Sequence, residues 1–387
     1  MPKWSKLIST DSFVSYSLSK KTYNEASYSW KYAKDLGISM GIINVTVMCV
    51  ALFLTVNLSF AGSSDLYFPP VKGAWEKVSP GQAGWDVAKL KRAMEYAGKQ
   101  NSSGVVILYR GRILTEKYWK VESAKRPSYE YMLIETTSDG RAIEDVASVQ
   151  KSVISFLAAI AREQGKLDLD RTVTGYLGKG WSKASPRQEE KITVRHLMTM
   201  TSGLNEPLEY KHPAGTVWQY NTRAYSKMVP VLTKITGMSI NQLTYEWLTA
   251  PTGMRESRWE PRRWVQSHHA ANMIGFATSA RDLARFGLLV LAEGKWGGHA
   301  VLKNSKYLLE SLQPSQSLKP SYGLLWWLIS PSWFPQAPDN AVAALGRLSR
   351  IVCIVPSQQL VFTRLGDQAN RNFLRDFWIL LSAAMPD

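Results

Sequence analysis

Strand-like runs stand near both ends of this chain, and no βαβ alternation lies between them. Residues 104–119 (GVVILYRGRILTEKYW) read as two strands about the turn Arg110-Gly111. Ile351–Val355 and Leu360–Arg364 read as a second pair, joined by Pro356-Ser-Gln-Gln, and Tyr322–Ile329 reads as a further strand. Hairpins without crossovers predict an antiparallel sheet. Helical spacing predicts a helix over Asp86–Gly98, with Val87, Leu90, Met94 and Ala97 on one face. It predicts others over Ser148–Gly165, Ser279–Gly294 and Phe373–Met385. The fold class is therefore α+β: an antiparallel sheet flanked by terminal helices, with a helical subdomain inserted at about 166–275.

The front of the chain reads differently. Leu36–Ser64 carries no charge, and residues 1–35 hold six Lys and three acids. The apolar run ends in Ser59-Phe60-Ala61, small residues at the −3 and −1 positions of an export-signal cleavage site. Residues 1–35 are thus a basic extension, long for a signal, which translation from Met40 would omit. Residues 36–61 are an export signal cleaved near Ala61, or an anchor through 38–58. A buried soluble helix is the remaining alternative. The expected location is the bacterial periplasm or the outer face of the inner membrane, and the working domain is 62–387.

Lys and Arg number 47 against 31 Asp and Glu, a net charge of +16. No long basic run or zinc-finger pattern accompanies it, so a basic surface is expected and no nucleic-acid partner. Cys49 lies in the apolar run and Cys353 in a strand, which predicts no internal disulfide and a buried Cys353. His268-His269 lacks further ligands, so neither a metal nor a cofactor is expected.

The chemistry centres on Ser148-Val-Gln-Lys151, at the start of the longest apolar helix. Residues three apart on a helix share a face, so the Ser148 hydroxyl and the Lys151 ammonium are within reach of each other. A serine becomes nucleophilic when a base takes its proton. A lysine serves as that base when desolvation or a neighbouring cation lowers its pKa. The same residues equally describe an N-cap serine with a solvated lysine, and Ser17–Lys20 repeats the spacing.

Four further blocks give that motif a context. They are 192–204 (ITVRHLMTMTSGL), 215–225 (GTVWQYNTRAY), 277–287 (ATSARDLARFG) and 322–327 (YGLLWW). With Ser148-x-x-Lys151, and in this order, they resemble the serine β-lactamase-related family. That family includes class C β-lactamases, D-Ala-D-Ala peptidases, esterases and 6-aminohexanoate-oligomer hydrolases. The resemblance covers nearly all of 67–387 and implies a β-lactamase/transpeptidase-like fold.

It also implies roles. Ser148 resembles the acylated nucleophile, Lys151 its proton acceptor, and Tyr220 the Tyr of a Tyr-x-Asn motif that passes the proton to the leaving group. Asn221 stands one place early for the Asn of that motif, so Asn221 or Thr222 takes its substrate contact. No Lys-Thr-Gly occurs. Residues 344–350 (ALGRLSR) resemble the Ala-x-Gly-x-x-Gly-Gln form of the esterase and amide-hydrolase branches. Gly346 then lets substrate approach the strand, and the backbone N–H groups of Ser148 and Arg347 form the oxyanion hole. Arg347 and Arg350 are the two candidates to replace the missing Lys, the alternative being solvated arginines. His196 is expected to be structural, and Glu144-Asp145 to compensate the helix dipole.

The implied activity is that of an exported serine hydrolase. Its substrate is a small amide or ester, as for the aminohexanoate-oligomer branch; a β-lactam or a cell-wall D-peptide is the alternative. A non-hydrolytic binding or sensor protein on this fold is the rival of another class.

Overall fold

The computed structural model describes residues 66–122, 127–262 and 272–386. The basic extension, the export segment, Cys49 and the His268-His269 pair lie outside them.

The strand runs of the two chain ends meet in one six-stranded antiparallel sheet. Its spatial order is Arg112–Tyr118, Ser102–Tyr109, Leu360–Gly366, Arg350–Val355, Val342–Gly346 and Trp327–Leu328. The first-formed hairpin therefore pairs with the last strand, Val105 opposite Arg364 and Leu108 opposite Val361. Alternation sorts the side chains onto two faces. Val105, Ile107, Cys353 and Phe362 join a core with the helices Val87–Lys99 and Phe373–Ser382. Val106, Leu108, Val352, Ile354 and Val361 join a larger core with the helices Gln150–Glu163 and Ala280–Leu291. Cys353 is fully buried, and burial pushes its thiol well up. No helix among the described residues is long and apolar enough to cross a membrane.

Two expectations are corrected. Of Tyr322–Ile329 only Trp327–Leu328 is strand. The Leu324 and Leu325 carbonyls instead accept the hydroxyls of Ser155 and Ser152, at 2.6 and 2.8 Å, and Leu325 sits at φ +66°. With those carbonyls taken by a helix, the segment cannot run as a ladder. The helical insertion also ends early, at Thr252. Beyond it, Arg258–Pro261 and Ile274–Thr278 build a second sheet with Leu133–Thr136 and Ala142–Asp145.

The helix Ala280–Leu291 seats directly on the large sheet. A Cβ on Gly287 would lie 2.5 Å from Val361 Cγ1 and 2.8 Å from Val352 Cγ2. Alanine gains about 1 kcal/mol of helix propensity over glycine. Overpacking against two stiff β-branched side chains costs about 1–3 kcal/mol. Gly287→Ala is therefore expected to be net destabilising, read as a lower midpoint in urea unfolding.

At the start of that helix Asp282 accepts from the Glu256 N–H at 2.7 Å and the Ser257 hydroxyl at 2.9 Å. Burial, reinforced by the nearby Glu256 charge, pushes its carboxyl up to about 7 from 3.8. Between those values the folded state holds a proton that the unfolded state has lost. Its contribution to stability thus declines as pH rises through that window and is fully lost above it. Asp282→Asn is expected to flatten the decline in unfolding free energy between about pH 4 and 7, measured by urea unfolding across that range.

Candidate active site

Ser148 sits on a single 3-10 turn, Ala147–Val149, which leads into the helix Gln150–Glu163. It does not cap that helix: the N-cap is Val149 and no side chain serves it. Ala147 is held at φ +52°, with its N–H on Asp145 Oδ1 at 2.8 Å. A non-glycine residue in that region is strained, and strain of this kind collects at functional sites. The kink leaves Ser148 partly exposed amid buried neighbours.

Lys151 follows one turn later, and its side chain is buried. Its Nζ lies 2.9 Å from Ser148 Oγ and 3.4 Å from Thr222 Oγ1. The ammonium also faces two rings, with Tyr225 at 4.6 Å and Tyr220 at 4.9 Å to the centroids. Such contacts hold a cation in place while removing it from water. Ser148, Lys151, Tyr220 and Thr222 are thus brought together from two segments about 70 residues apart.

Asn221 is elsewhere. It is buried, and its amide donates to the Leu204 and Asn205 carbonyls at 2.7 and 2.8 Å. Its Oδ1 accepts from the Ala224 N–H at 2.9 Å. Both donors are spent on backbone, so the expectation that Asn221 contacts substrate is corrected; Thr222 is the member of the pair beside Lys151. Glu206, which the sequence blocks stop two residues short of, accepts from the Thr222 N–H at 2.8 Å. Asn221 and Glu206 together fasten the 204–206 loop to the turn that carries Tyr220 and Thr222.

Gly346 ends its strand against the Ser148 turn. A Cβ there would lie 2.3 Å from the Val146 carbonyl oxygen and 3.2 Å from Val149 Cγ2. The close approach that requires glycine is therefore to the protein itself, which corrects its reading as a place for substrate. It brings the Gly346-Arg347 corner beside Ser148. The Arg347 side chain is exposed, and its guanidinium has no partner among the described residues.

Arg350 and the acidic pair are also corrected. Arg350 and Glu144 are both fully buried and pair through two bonds, at 2.7 and 3.0 Å. Glu144 also accepts from Tyr129 at 2.9 Å, from the Gly366 N–H at 3.1 Å and from Ser103. Asp145 pairs with Arg262 at 2.6 Å. Neither acid serves as a free dipole charge, and Arg350 cannot reach a substrate. His196 is structural: its Nδ1 accepts from the Thr193 N–H at 3.1 Å in a capping box, and burial lowers its pKa. Among the described residues no cluster of His, Cys, Asp or Glu is set to hold a metal. An apolar cavity of about 340 Å³, lined by residues such as Leu312, Pro320, Leu328 and Val342, contains none of the site residues.

The comparison with known proteins now decides the family, because residues 88–383 match the family described as Beta-lactamase. The chain belongs to the beta-lactamase family. A curated relative, an uncharacterized protein of Alkalihalophilus pseudofirmus, is 25% identical over 327 residues, spanning 75% of this chain and 92% of the relative. A Bacillus anthracis structure assigned as a 6-aminohexanoate-dimer hydrolase superposes with a TM-score of 0.59 at 17% identity, covering 84% of this chain and 91% of that one. A penicillin-binding protein from Bacillus halodurans gives a TM-score of 0.58 at 16% identity, covering 76% and 98%. These likenesses establish the β-lactamase/transpeptidase-like fold for this beta-lactamase-family chain.

Removing one partner of a buried ion pair strands the other charge, at about 3–5 kcal/mol. Arg350→Met is expected to cost that much stability in chemical denaturation. An arginine that merely bound substrate would leave the midpoint unchanged and raise KM.

Asn221→Ala removes a cap and two loop bonds, a loss of about 1–3 kcal/mol. Its expected signature is lower thermal stability together with reduced kcat, because Tyr220 and Thr222 lose their anchor.

Proposed function

We propose that this protein is a serine hydrolase that cleaves an amide or ester bond through an acyl-enzyme on Ser148. The observation that carries the reading is the 2.9 Å contact between Lys151 Nζ and Ser148 Oγ, made by a buried lysine. In its neutral form Lys151 takes the Ser148 proton as Oγ attacks the substrate carbonyl carbon. The oxyanion that forms is held by the backbone N–H groups of Ser148 and Arg347. Tyr220, beside Lys151, passes the proton to the leaving nitrogen or oxygen as the bond to carbon breaks. Water then attacks the acyl-enzyme, gives its proton back through the same groups, and frees Ser148 and the acid.

Small amides or esters are the favoured substrates, as in the 6-aminohexanoate-dimer-hydrolase and esterase branches. The absence of Lys-Thr-Gly and the sequestration of Arg350 on Glu144 both support this. A β-lactamase or D-alanyl-D-alanine carboxypeptidase is the second reading, supported by the unpaired Arg347 guanidinium as an anchor for a substrate carboxylate. Rapid nitrocefin turnover would move the assignment there, whereas acylation without turnover would mark a sensor or binding protein. The uncharged stretch 36–64 supports export, with the domain in the bacterial periplasm or on the outer face of the inner membrane.

The deciding experiment is intact mass after treatment with an alkyl fluorophosphonate, wild type beside Ser148→Ala. One adduct, mapped to Ser148 and absent from the variant, is the expected result. A folded wild-type protein that takes no adduct overturns the reading.

A further inference from the structure

Tyr220, which faces Lys151, belongs to a group of four aromatic side chains in mutual contact. Trp218, Tyr220, Trp327 and Trp333 are each partly exposed, and Tyr322 is buried behind them. Tyr220 stacks on Trp327 at 6.1 Å between centroids and 23° between planes. Trp327 meets Trp333 edge to face at 5.9 Å. Trp218 touches Tyr220 and Trp327, each at 6.3 Å, and Tyr322 at 5.6 Å. The rings arrive from three segments and form one continuous shelf that includes Tyr220. Tyr322 is wholly core, whereas each of the four packs against a core and keeps part of its ring open. Partly open aromatic rings in unbroken contact beside the Lys151 site fit the apolar lining of a small-molecule pocket.

Charge narrows what the shelf accepts. Lys151 Nζ already faces Tyr220, and Lys319 Nζ lies 5.7 Å from the Trp218 centroid. Lys319 has no carboxylate partner among the described residues. Aromatic faces attract cations, but the Lys319 ammonium already in place at Trp218 repels a second and favours a neutral or anionic ligand.

Position identifies which part of the substrate lies there. This step rests on the reading of Ser148 as nucleophile and Tyr220 as proton donor to the leaving group. The leaving atom then sits at Tyr220, and whatever it carries extends over Trp327 towards Trp333 and Trp218. We propose that this shelf is the leaving-group subsite and takes a planar aromatic leaving group, neutral or anionic. Trp333 and Trp218 set its specificity, and Lys319 meets an acidic substituent at its edge.

The test compares 2-naphthyl acetate with phenyl acetate. The two leaving groups have similar acidity and pass through one acetyl-enzyme, so preference for the larger ring appears in KM. KM is expected to be about tenfold lower for the naphthyl ester, within the range of one aromatic stacking contact. Trp333→Ala and Trp218→Ala are expected to raise the naphthyl KM about fivefold or more and the phenyl KM by less, so that the preference for the naphthyl ester narrows. Lys319→Gln lies outside the packed rings, which keeps the test independent of a folding defect. It is expected to raise KM about fivefold for 6-acetoxy-2-naphthoate and not for 2-naphthyl acetate.

Equal KM values for the two esters in wild type overturn the proposal. So do unchanged naphthyl kinetics in both Trp variants, or a KM for acetylthiocholine below that for 2-naphthyl acetate. An unchanged 6-acetoxy-2-naphthoate KM in Lys319→Gln overturns the role given to Lys319. Fluorophosphonate labelling of the same preparations separates the two levels. An adduct without naphthyl preference sinks the subsite alone, and no adduct sinks the nucleophile and the subsite together.

Discussion

Glu144 has no access to water, and a carboxylate in that position is tolerated only when every lone pair is met. Its donors come from four parts of the chain: Ser103, Tyr129, Arg350 and the Gly366 N–H. The interaction is therefore satisfied only when the first hairpin, the strand before Ser148 and the last two strands have all arrived. Arg350 spends a third contact on the Arg347 carbonyl, at 3.2 Å. One buried ion pair thus fixes both the strand that delivers Ser148 and the corner that delivers Arg347. A hydrophobic pair of similar volume would fill the space but would not specify this convergence.

The helix Gln150–Glu163 extends the constraint to the other side of the cleft. Lys151 leaves it towards Ser148 and the two tyrosines. Ser152 and Ser155 leave it towards the carbonyls of the 324–325 segment, which carries Trp326 into the core and Trp327 onto Tyr220. One helix thus holds both Lys151 and the segment that carries Trp327. Preorganisation of this kind is what a proton transfer over a hydrogen-bond distance requires.

Much of this was legible in the sequence, for local reasons. Strand alternation at the chain ends and the three-residue spacing of Ser148 and Lys151 are short-range patterns, and the molecule keeps them. What stayed hidden depended on distant partners. Glu144 and Asp145 look like dipole charges until Arg350, 206 residues on, and Arg262, 117 residues on, come into place. The Asn221 amide looks the same whether it faces a ligand or the Leu204 carbonyl. The run 322–329 has the composition of a strand, yet two serine hydroxyls from a helix claim its carbonyls. The small sheet joins two short strand pairs, of four or five residues a strand, that lie more than 100 positions apart, too short and too far apart for periodicity to register.

The pairing of Ser102–Tyr109 with Leu360–Gly366 has a consequence for the protein's birth. The sheet has no completed centre until residue 366 has been made, since the strand that fills it is the last among the described residues. A nascent chain ending before Gly366 has Ser148 and Lys151 but lacks part of the sheet they pack on, and one of the donors that Glu144 demands. Pairing of such high sequence separation is slow to form, and it leaves the early hairpin without its neighbour while the chain between is made. Such a chain has no complete sheet to pack on, so the contact between Lys151 and Ser148 acquires its full support only after Gly366 has joined the fold.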